Sequence, residues 1–154
     1  HLWGVVPVRR EEFDRRAISQ IIEVLKAGEM VLVAPEGTRR PALSRAKEGI
    51  AFLAARTQVP LIPIAVEGTV GFPAFRLSSR WREPGAHIRI GKPFRFRSDI
   101  LHPDRNQLRL MTDEAMYLLA ALLPPKLRGE YSDLAQASQD TIEWLDCSGN
   151  VLQS

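Results

Sequence analysis

A short apolar run near residue 30 is followed by polar residues whose types suit anion binding. Glycine lets backbone N–H groups approach a ligand closely, and arginine meets a phosphate through two hydrogen bonds. A neighbouring carboxylate would hold an arginine in position or accept a hydrogen bond from a substrate hydroxyl. An exposed turn with solvated arginines is the alternative. The candidate anion pocket consists of Glu36, Gly37, Thr38 and Arg39.

The run at residues 30–34 is too short for a buried helix and too uniformly apolar for a strand with one wet face. It therefore predicts a central strand that is covered on both sides. Ligands bind at the carboxyl edge of such sheets, where loops and helix N-termini converge. Arg10 ends a second apolar run at residues 5–8, so we expect Arg10 and Arg39 to reach one anion. Lys47, in the first turn of the next predicted helix, would add a third cation or be an ordinary surface lysine.

The apolar pattern predicts an α/β fold, a mostly parallel sheet with flanking helices built from consecutive βαβ units. Apolar residues at helical spacing predict a helix that ends at Gly28, and a second helix at residues 47–57. A strand at 61–66 is entered through a kink at Pro63. We predict short strands at 87–90 and 94–96, joined by a hairpin across 91–93. A helix at 103–123 and a last amphipathic stretch at 132–145 follow, which gives two helices at the C-terminal end.

Composition favours one globular domain over residues 1–154, frayed from about residue 146. The 154 residues are 45% hydrophobic, carry a formal charge of +3 and contain one cysteine, Cys147. An internal disulfide is excluded, and we predict no metal site. The longest uncharged run near the end, 115–125, is shorter than the roughly 20 residues that a spanning helix needs. Residues 76–97 hold seven basic residues and one acid. A basic face of this kind favours binding of phosphate, anionic lipid or nucleic acid. The alternative is an arginine-rich face that is only solvated.

Three ordered blocks resemble the glycerolipid acyltransferases of the lysophosphatidate (1-acyl-sn-glycerol-3-phosphate) acyltransferase type. They read GVVPVRR at residues 4–10, APEGTRR at 34–40 and VPLIPIAV at 59–66. Lys47 and Gly49 also fit the Lys-x-Gly that follows the EGTR block in that family. A lone EGTR is a weak signal, whereas three blocks in the family's order are specific. The resemblance covers roughly residues 3–68.

The resemblance implies transfer of a fatty acyl group from acyl-CoA or acyl-carrier protein to a lysophospholipid hydroxyl, with no cofactor. It implies that Arg10 and Glu36–Arg39, with Lys47, bind the phosphate of the acceptor. It links the fourth block to the acyl donor or acyl chain, at Val59, Pro60, Ile62 and Pro63. The expected partners are the lysophospholipid, the acyl thioester and a membrane surface, with the chain peripheral on the cytoplasmic side.

The family's catalytic base is a histidine held by the aspartate of an H-x4-D block. None of the three histidines fits, because Val6, Lys92 and Gln107 stand five positions after them. We therefore assign no catalytic residue and expect either a fragment of a longer protein or a degenerate, non-catalytic member. Little or no transferase activity is predicted for residues 1–154 alone, because a hydroxyl nucleophile needs a positioned base.

The stretch at residues 72–82, FPAFRLSSRWR, interleaves aromatic residues with arginines. This composition suits the bilayer interface, where rings lie at head-group depth and cations meet anionic lipid. A loop whose aromatics fill the core is the alternative. The membrane-interface candidates are Phe72, Phe75, Arg76, Arg80 and Trp81.

Three functions compete at this stage. The ordered blocks favour a membrane-associated acyltransferase domain of phospholipid synthesis. The basic middle of the chain favours a nucleic-acid-binding module, although no nucleic-acid motif supports it and we expect no such partner. The missing base favours a non-catalytic lipid-phosphate binder.

Overall fold

A computed structural model describes residues 15–37, 40–68, 85–100 and 102–146 of the chain. Two helices come first within these ranges, and three short strands, a third helix and a last strand follow. Three 3₁₀ helices, Pro125–Leu127, Gly129–Tyr131 and Leu134–Gln136, lie between the last helix and the last strand. In chain order the other elements are α1 (Arg15–Lys26), α2 (Gly49–Thr57), β1 (Ile64–Glu67), β2 (His87–Ile90), β3 (Phe94–Phe96), α3 (Arg105–Ala121) and β4 (Ile142–Trp144).

Helix α1 ends at the glycine that the sequence predicts as its cap. Gly28 has φ +83°, a conformation that costs glycine little. Its N–H donates to Leu25 O at 3.1 Å, and Glu29 N donates to Val24 O at 3.2 Å. These bonds satisfy carbonyls of the last turn, as a left-handed cap does.

The core lies where α2 meets α3 and strands β3 and β4. Helix α2 contributes the small buried residues Ala51, Ala54 and Ala55, which let neighbouring elements approach closely. Phe94 and Phe96 of β3 are 1% exposed and pack edge to face with centroids 5.7 Å apart. The helix predicted at 47–57 is therefore confirmed as a core element.

Helix α3 begins at a reciprocal cap. Asp104 Oδ1 accepts from Gln107 N at 2.8 Å, and Gln107 Oε1 accepts from Asp104 N at 2.9 Å. This capping box satisfies two backbone donors that a helix start leaves unpaired. The predicted helix at 103–123 is confirmed, and Pro124 follows its C-terminal turn.

Both sheets of the described residues are antiparallel two-stranded pairs, β1 with β2 and β3 with β4. The parallel layout that the sequence predicts is not confirmed. The predicted hairpin across residues 91–93 is wrong, because β2 pairs with β1 in the register Ile64↔Ile90. Phe94 exchanges both backbone bonds with Leu61, at 2.7 and 3.0 Å, so the 87–94 stretch continues antiparallel to 61–67. Pro93 lacks an N–H and interrupts this pairing instead of turning the chain.

The strand predicted at 61–66 begins late. Leu61 forms an isolated bridge with Phe94, and regular pairing starts only at Ile64. Pro63 lies between the two and accepts from Gly91 N at 2.8 Å. Pairing is thus interrupted at Pro63, as the predicted irregular entry into the strand requires.

The apolar run at residues 30–33 differs from its prediction. These residues have no regular secondary structure, and Met30 and Leu32 are 94% and 90% exposed instead of buried. No strand within the described ranges pairs with the run, so it gains neither ladder hydrogen bonds nor covering side chains. One face of β1 and β2 is likewise apolar and exposed, through Ile64, Val66, Ile88 and Ile90.

The amphipathic stretch at 132–145 is not the second C-terminal helix that the pattern predicts. It forms a 3₁₀ turn and strand β4. Asp133 accepts from Ala135 N at 3.2 Å, and such short polar side chains compete with helical hydrogen bonding. Thr141 and Ser138 donate instead to the buried carboxylate of Glu114 on α3.

Among the described residues, no helix has both the length and the apolar character that crossing a bilayer requires.

Candidate functional site

The Glu36–Gly37 turn folds back onto the chain that follows it. Gly37 N donates to Ala34 O at 3.1 Å, and Gly37 has φ +68°, a left-handed conformation that favours glycine. Glu36 Oε1 accepts from both the backbone N–H and the hydroxyl of Ser44, the latter at 2.9 Å. The half-buried carboxylate thus fixes the turn, a role that differs from both uses predicted for it from the sequence.

Lys47 lies beside this turn. Its backbone N–H donates to Pro35 O at 3.0 Å. A Cβ built on Gly37 would stand 3.9 Å from Lys47 Cε, so the lysine stem passes next to the glycine. The structure therefore brings together three of the predicted phosphate-binding residues, Glu36, Gly37 and Lys47.

Arg10, Thr38 and Arg39 lie outside the described residues. Their convergence on one anion stays a prediction. The membrane-interface candidates Phe72, Phe75, Arg76, Arg80 and Trp81 lie outside them as well.

The predicted acyl-donor region leads into β1. Val59 is half-buried, Pro60 is exposed, and Ile62 is 52% exposed. Pro63 is held by its bond from Gly91 N. An apolar side chain at the surface thus lies one residue before the kink.

A charged network behind the turn was missed by sequence reasoning. Arg109 Nη1 donates to Ala46 O at 2.8 Å and to Glu48 Oε1 at 3.0 Å. Its Nε donates to Asp113 Oδ2 at 2.9 Å, and Tyr131 donates to Asp113 Oδ1 at 3.2 Å. The i,i+4 spacing of Arg109 and Asp113 on a predicted helix is the signal that would have found this pair.

Electrostatics keep this network charged. Burial lowers the pKa of Arg109. The hydrogen bond and the charge of Asp113, with smaller contributions from Tyr131 and Glu48, together outweigh burial, so the pKa of Arg109 lies above its ordinary value. Burial is the largest cause that raises the pKa of Tyr131. Arg109 therefore remains a cation and Tyr131 a neutral hydroxyl at neutral pH.

An open cavity of about 380 Å³ borders this network, between α3 and residues 130–138, and is lined in part by Asp113 and Tyr131. Arg45 and Glu130 also line it. None of the predicted acceptor-binding residues lines it, so we place the candidate site at the Glu36–Gly37 turn and not in the cavity.

Neither of the two histidines within the described ranges is buried. His87 is exposed on β2 and His102 is exposed before α3. No group of three or more potential metal ligands occurs among the described residues.

Comparison with known proteins supports the resemblance to acyltransferases. The model of the acyltransferase family matches residues 1–67, a range that contains all three blocks and Lys47. The chain is similar to this family over that range. The resemblance to its lysophosphatidate acyltransferase type is confirmed by two relatives that carry the name 1-acyl-sn-glycerol-3-phosphate acyltransferase.

The first of these relatives is a chloroplastic protein of Brassica napus, 38% identical over 74 residues, which are 44% of this chain and 21% of the relative. The second, from Chlamydomonas reinhardtii, is 31% identical over 144 residues, or 90% of this chain and 40% of the relative. The chain thus spans less than half the length of either relative. No solved structure matches it.

Proposed function

We propose that this chain supplies the acceptor-phosphate-binding part of an enzyme that transfers a fatty acyl group to a lysophospholipid such as lysophosphatidate, in phospholipid biosynthesis. The observation that carries the proposal is the packing of the Glu36–Gly37 turn beside Lys47, with the Glu36–Ser44 and Pro35–Lys47 hydrogen bonds. This arrangement supports a site in which Lys47 and Arg39 flank the acceptor phosphate, with the backbone of Gly37 close to it.

In this proposal the acyl group comes from acyl-CoA or acyl-carrier protein, and no cofactor takes part. The carbonyl carbon of the thioester is attacked by the acceptor hydroxyl, an ester bond forms, and the thiol leaves. Val59, Pro60, Ile62 and Pro63 contact the acyl chain or the donor. The exposed side chain of Ile62 supports that role, since an apolar chain would cover it. A histidine base from outside this chain takes the hydroxyl proton.

We also propose that the full-length protein completes a mostly parallel sheet. The exposed side chains of Met30, Leu32 and Val33 and the apolar face of β1 and β2 support this layout, because helices packed on the faces of such a sheet would cover them. Hydrogen–deuterium exchange tests it: amides of residues 30–33 exchange slowly in the full-length protein if the run is a central strand. Fast exchange of these amides contradicts the layout.

Membrane association is the remaining part of the proposal, with the chain peripheral on the cytoplasmic side. The aromatic and arginine residues at 72–82 support it by composition. Sedimentation with anionic vesicles tests it. A Trp81→Ala, Phe75→Ala double variant that sediments as well as the wild type contradicts this assignment.

Acyl transfer tests the main proposal in the full-length protein that contains this chain. Arg39→Ala should raise the KM for lysophosphatidate by about 10- to 100-fold, since a charge-assisted pair contributes about 1.5–3 kcal/mol. The KM for the acyl thioester should stay unchanged. Arg56→Ala, a substitution at an exposed residue of α2, is the matched control.

Two outcomes would contradict the proposal. Lysophosphatidate binding without turnover in the full-length protein would make it the non-catalytic lipid-phosphate binder. Affinity for oligonucleotides that falls steeply with salt, without any response to Arg39→Ala in the transfer assay, would favour the nucleic-acid module.

A further inference from the structure

The segment at residues 43–48, between the Glu36–Gly37 turn and α2, is held by residues that follow α3. Leu43 N donates to Leu127 O at 2.9 Å, and Glu130 N donates to Leu43 O at 3.2 Å. Arg45 N donates to Glu130 Oε1 at 3.1 Å. Both backbone groups of Leu43 are thus bonded to residues that follow α3.

Both backbone polar groups of Ala46, the N–H and the carbonyl, face side chains from the C-terminal half. Ala46 is 3% exposed, and its carbonyl accepts from Arg109 Nη1 at 2.8 Å. Its N–H points at the hydroxyl of Tyr131 over a longer distance of 3.4 Å. Each buried backbone group therefore has a side-chain partner from the C-terminal half.

Asp113 joins the two side chains that contact Ala46. It accepts two hydrogen bonds from Arg109 and one from the Tyr131 hydroxyl. The Tyr131 ring packs edge-on against Tyr117, with centroids 5.2 Å apart. A planar guanidinium and a buried ring lose little freedom when they are fixed, so this arrangement is stiff.

Lys47 follows Ala46 directly, and Ser44 precedes it by two residues. Displacement of Ala46 would therefore move both the Ser44 donors to Glu36 and the Lys47 stem beside Gly37. We infer that Arg109 and Tyr131 are positioning residues for the acceptor phosphate: they fix the 43–48 segment and, through it, Glu36 and Lys47. The inference rests on the proposed function. It extends the acceptor-phosphate site to residues that lie beyond residues 1–67, the range that the family model matches.

Steady-state kinetics of the full-length protein tests the inference. Arg109→Lys keeps the charge but loses the fork that reaches Asp113 and Ala46 together, so we expect the KM for lysophosphatidate to rise about fivefold, and more in Arg109→Met. The KM for the acyl thioester should not change. A merely structural role would lower the melting temperature and the active fraction, and would leave both KM values unchanged.

Arg95→Lys is the matched control for this substitution. Arg95 also makes two hydrogen bonds to one carboxylate, Glu143, at 3.0 and 2.8 Å, but it lies on β3. Tyr131→Phe is the second variant, and it keeps the ring while removing the hydroxyl that faces Ala46. Its control is Tyr117→Phe, the same deletion on the neighbouring ring.

The outcomes separate this inference from the proposed function. If Arg39→Ala raises the KM for lysophosphatidate while the Arg109 and Tyr131 variants match their controls, the inference is wrong and the proposed function stands. If Arg39→Ala has no effect, the proposed function fails and the inference fails with it. If the Arg109 variants do not fold, Tyr131→Phe tests the inference alone, because its ring still fills the space of the tyrosine ring.

Discussion

Gly129→Ala should break the contact between the two halves of the chain. Gly129 has φ +51°, and a Cβ there would stand 1.8 Å from Leu43 O and 2.8 Å from Leu43 C. Both contacted atoms are backbone, so no side chain can move aside, and the Gly129 and Leu43 backbones must separate. The left-handed conformation itself costs a residue with a Cβ about 1 kcal/mol.

The separation also removes hydrogen bonds. Glu130 N–Leu43 O and Leu43 N–Leu127 O each contribute about 1 kcal/mol. Together with the conformational cost, the free energy of unfolding should fall by about 3 kcal/mol. For a chain of this length that lowers the melting temperature by about 6–12 °C.

Gly28→Ala measures the free-energy cost of the left-handed backbone conformation by itself. Gly28 has φ +83°, but a Cβ there would meet nothing within 4 Å. We expect it to cost about 1 kcal/mol, a third of the effect at Gly129. Thermal and urea unfolding, followed by circular dichroism, measure both variants. A Gly129→Ala variant no less stable than Gly28→Ala would refute the close approach at Leu43.

Two further predictions concern buried polar groups. Glu114→Gln should lower the free energy of unfolding by about 2–4 kcal/mol. The Glu114 carboxylate is 1% exposed and accepts hydrogen bonds from the Ser138 hydroxyl and from the backbone N–H groups of Asp140 and Thr141. The amide of glutamine would place an N–H donor against one of these two backbone N–H groups. Urea unfolding checks this against Glu143→Gln at an exposed carboxylate, and equal effects would contradict it. Because burial raises the pKa of Tyr131 above its ordinary value near 10, the Tyr131 contribution is complete below pH 10 and is lost as pH rises through the folded pKa. Wild-type stability should therefore fall faster above pH 10 than that of Tyr131→Phe, and parallel pH profiles would refute this.

Local patterns were sufficient for elements whose signals are local. The bounds of β2 and β3 agree with their predictions, and Gly28 ends α1 as the glycine signal indicates. Pairing was not predictable, because the partner of β3 is β4, which follows only after α3 and three 3₁₀ helices. The stretch at 132–145 has the apolar spacing of a helix, but Glu114, more than 20 residues away in sequence, accepts hydrogen bonds from its polar residues.

The candidate site was predictable in part. The EGTR block and the Lys-x-Gly motif identified Glu36, Gly37 and Lys47, which the structure brings together. The residues that hold the 43–48 segment were not found, because Arg109 and Tyr131 become its neighbours only through tertiary packing. Burial of a backbone carbonyl has no sequence signature.

Recognition of the acceptor phosphate is the central claim, and comparison of two acceptors tests it most directly. The full-length protein is supplied with one acyl thioester and either lysophosphatidate or monoacylglycerol, which lacks the phosphate, and kcat/KM is measured for each. We predict a preference for lysophosphatidate of about 10-fold or more, which Arg39→Ala and Lys47→Ala each reduce. Equal rates with the two acceptors, or a preference that both substitutions leave intact, would contradict the account.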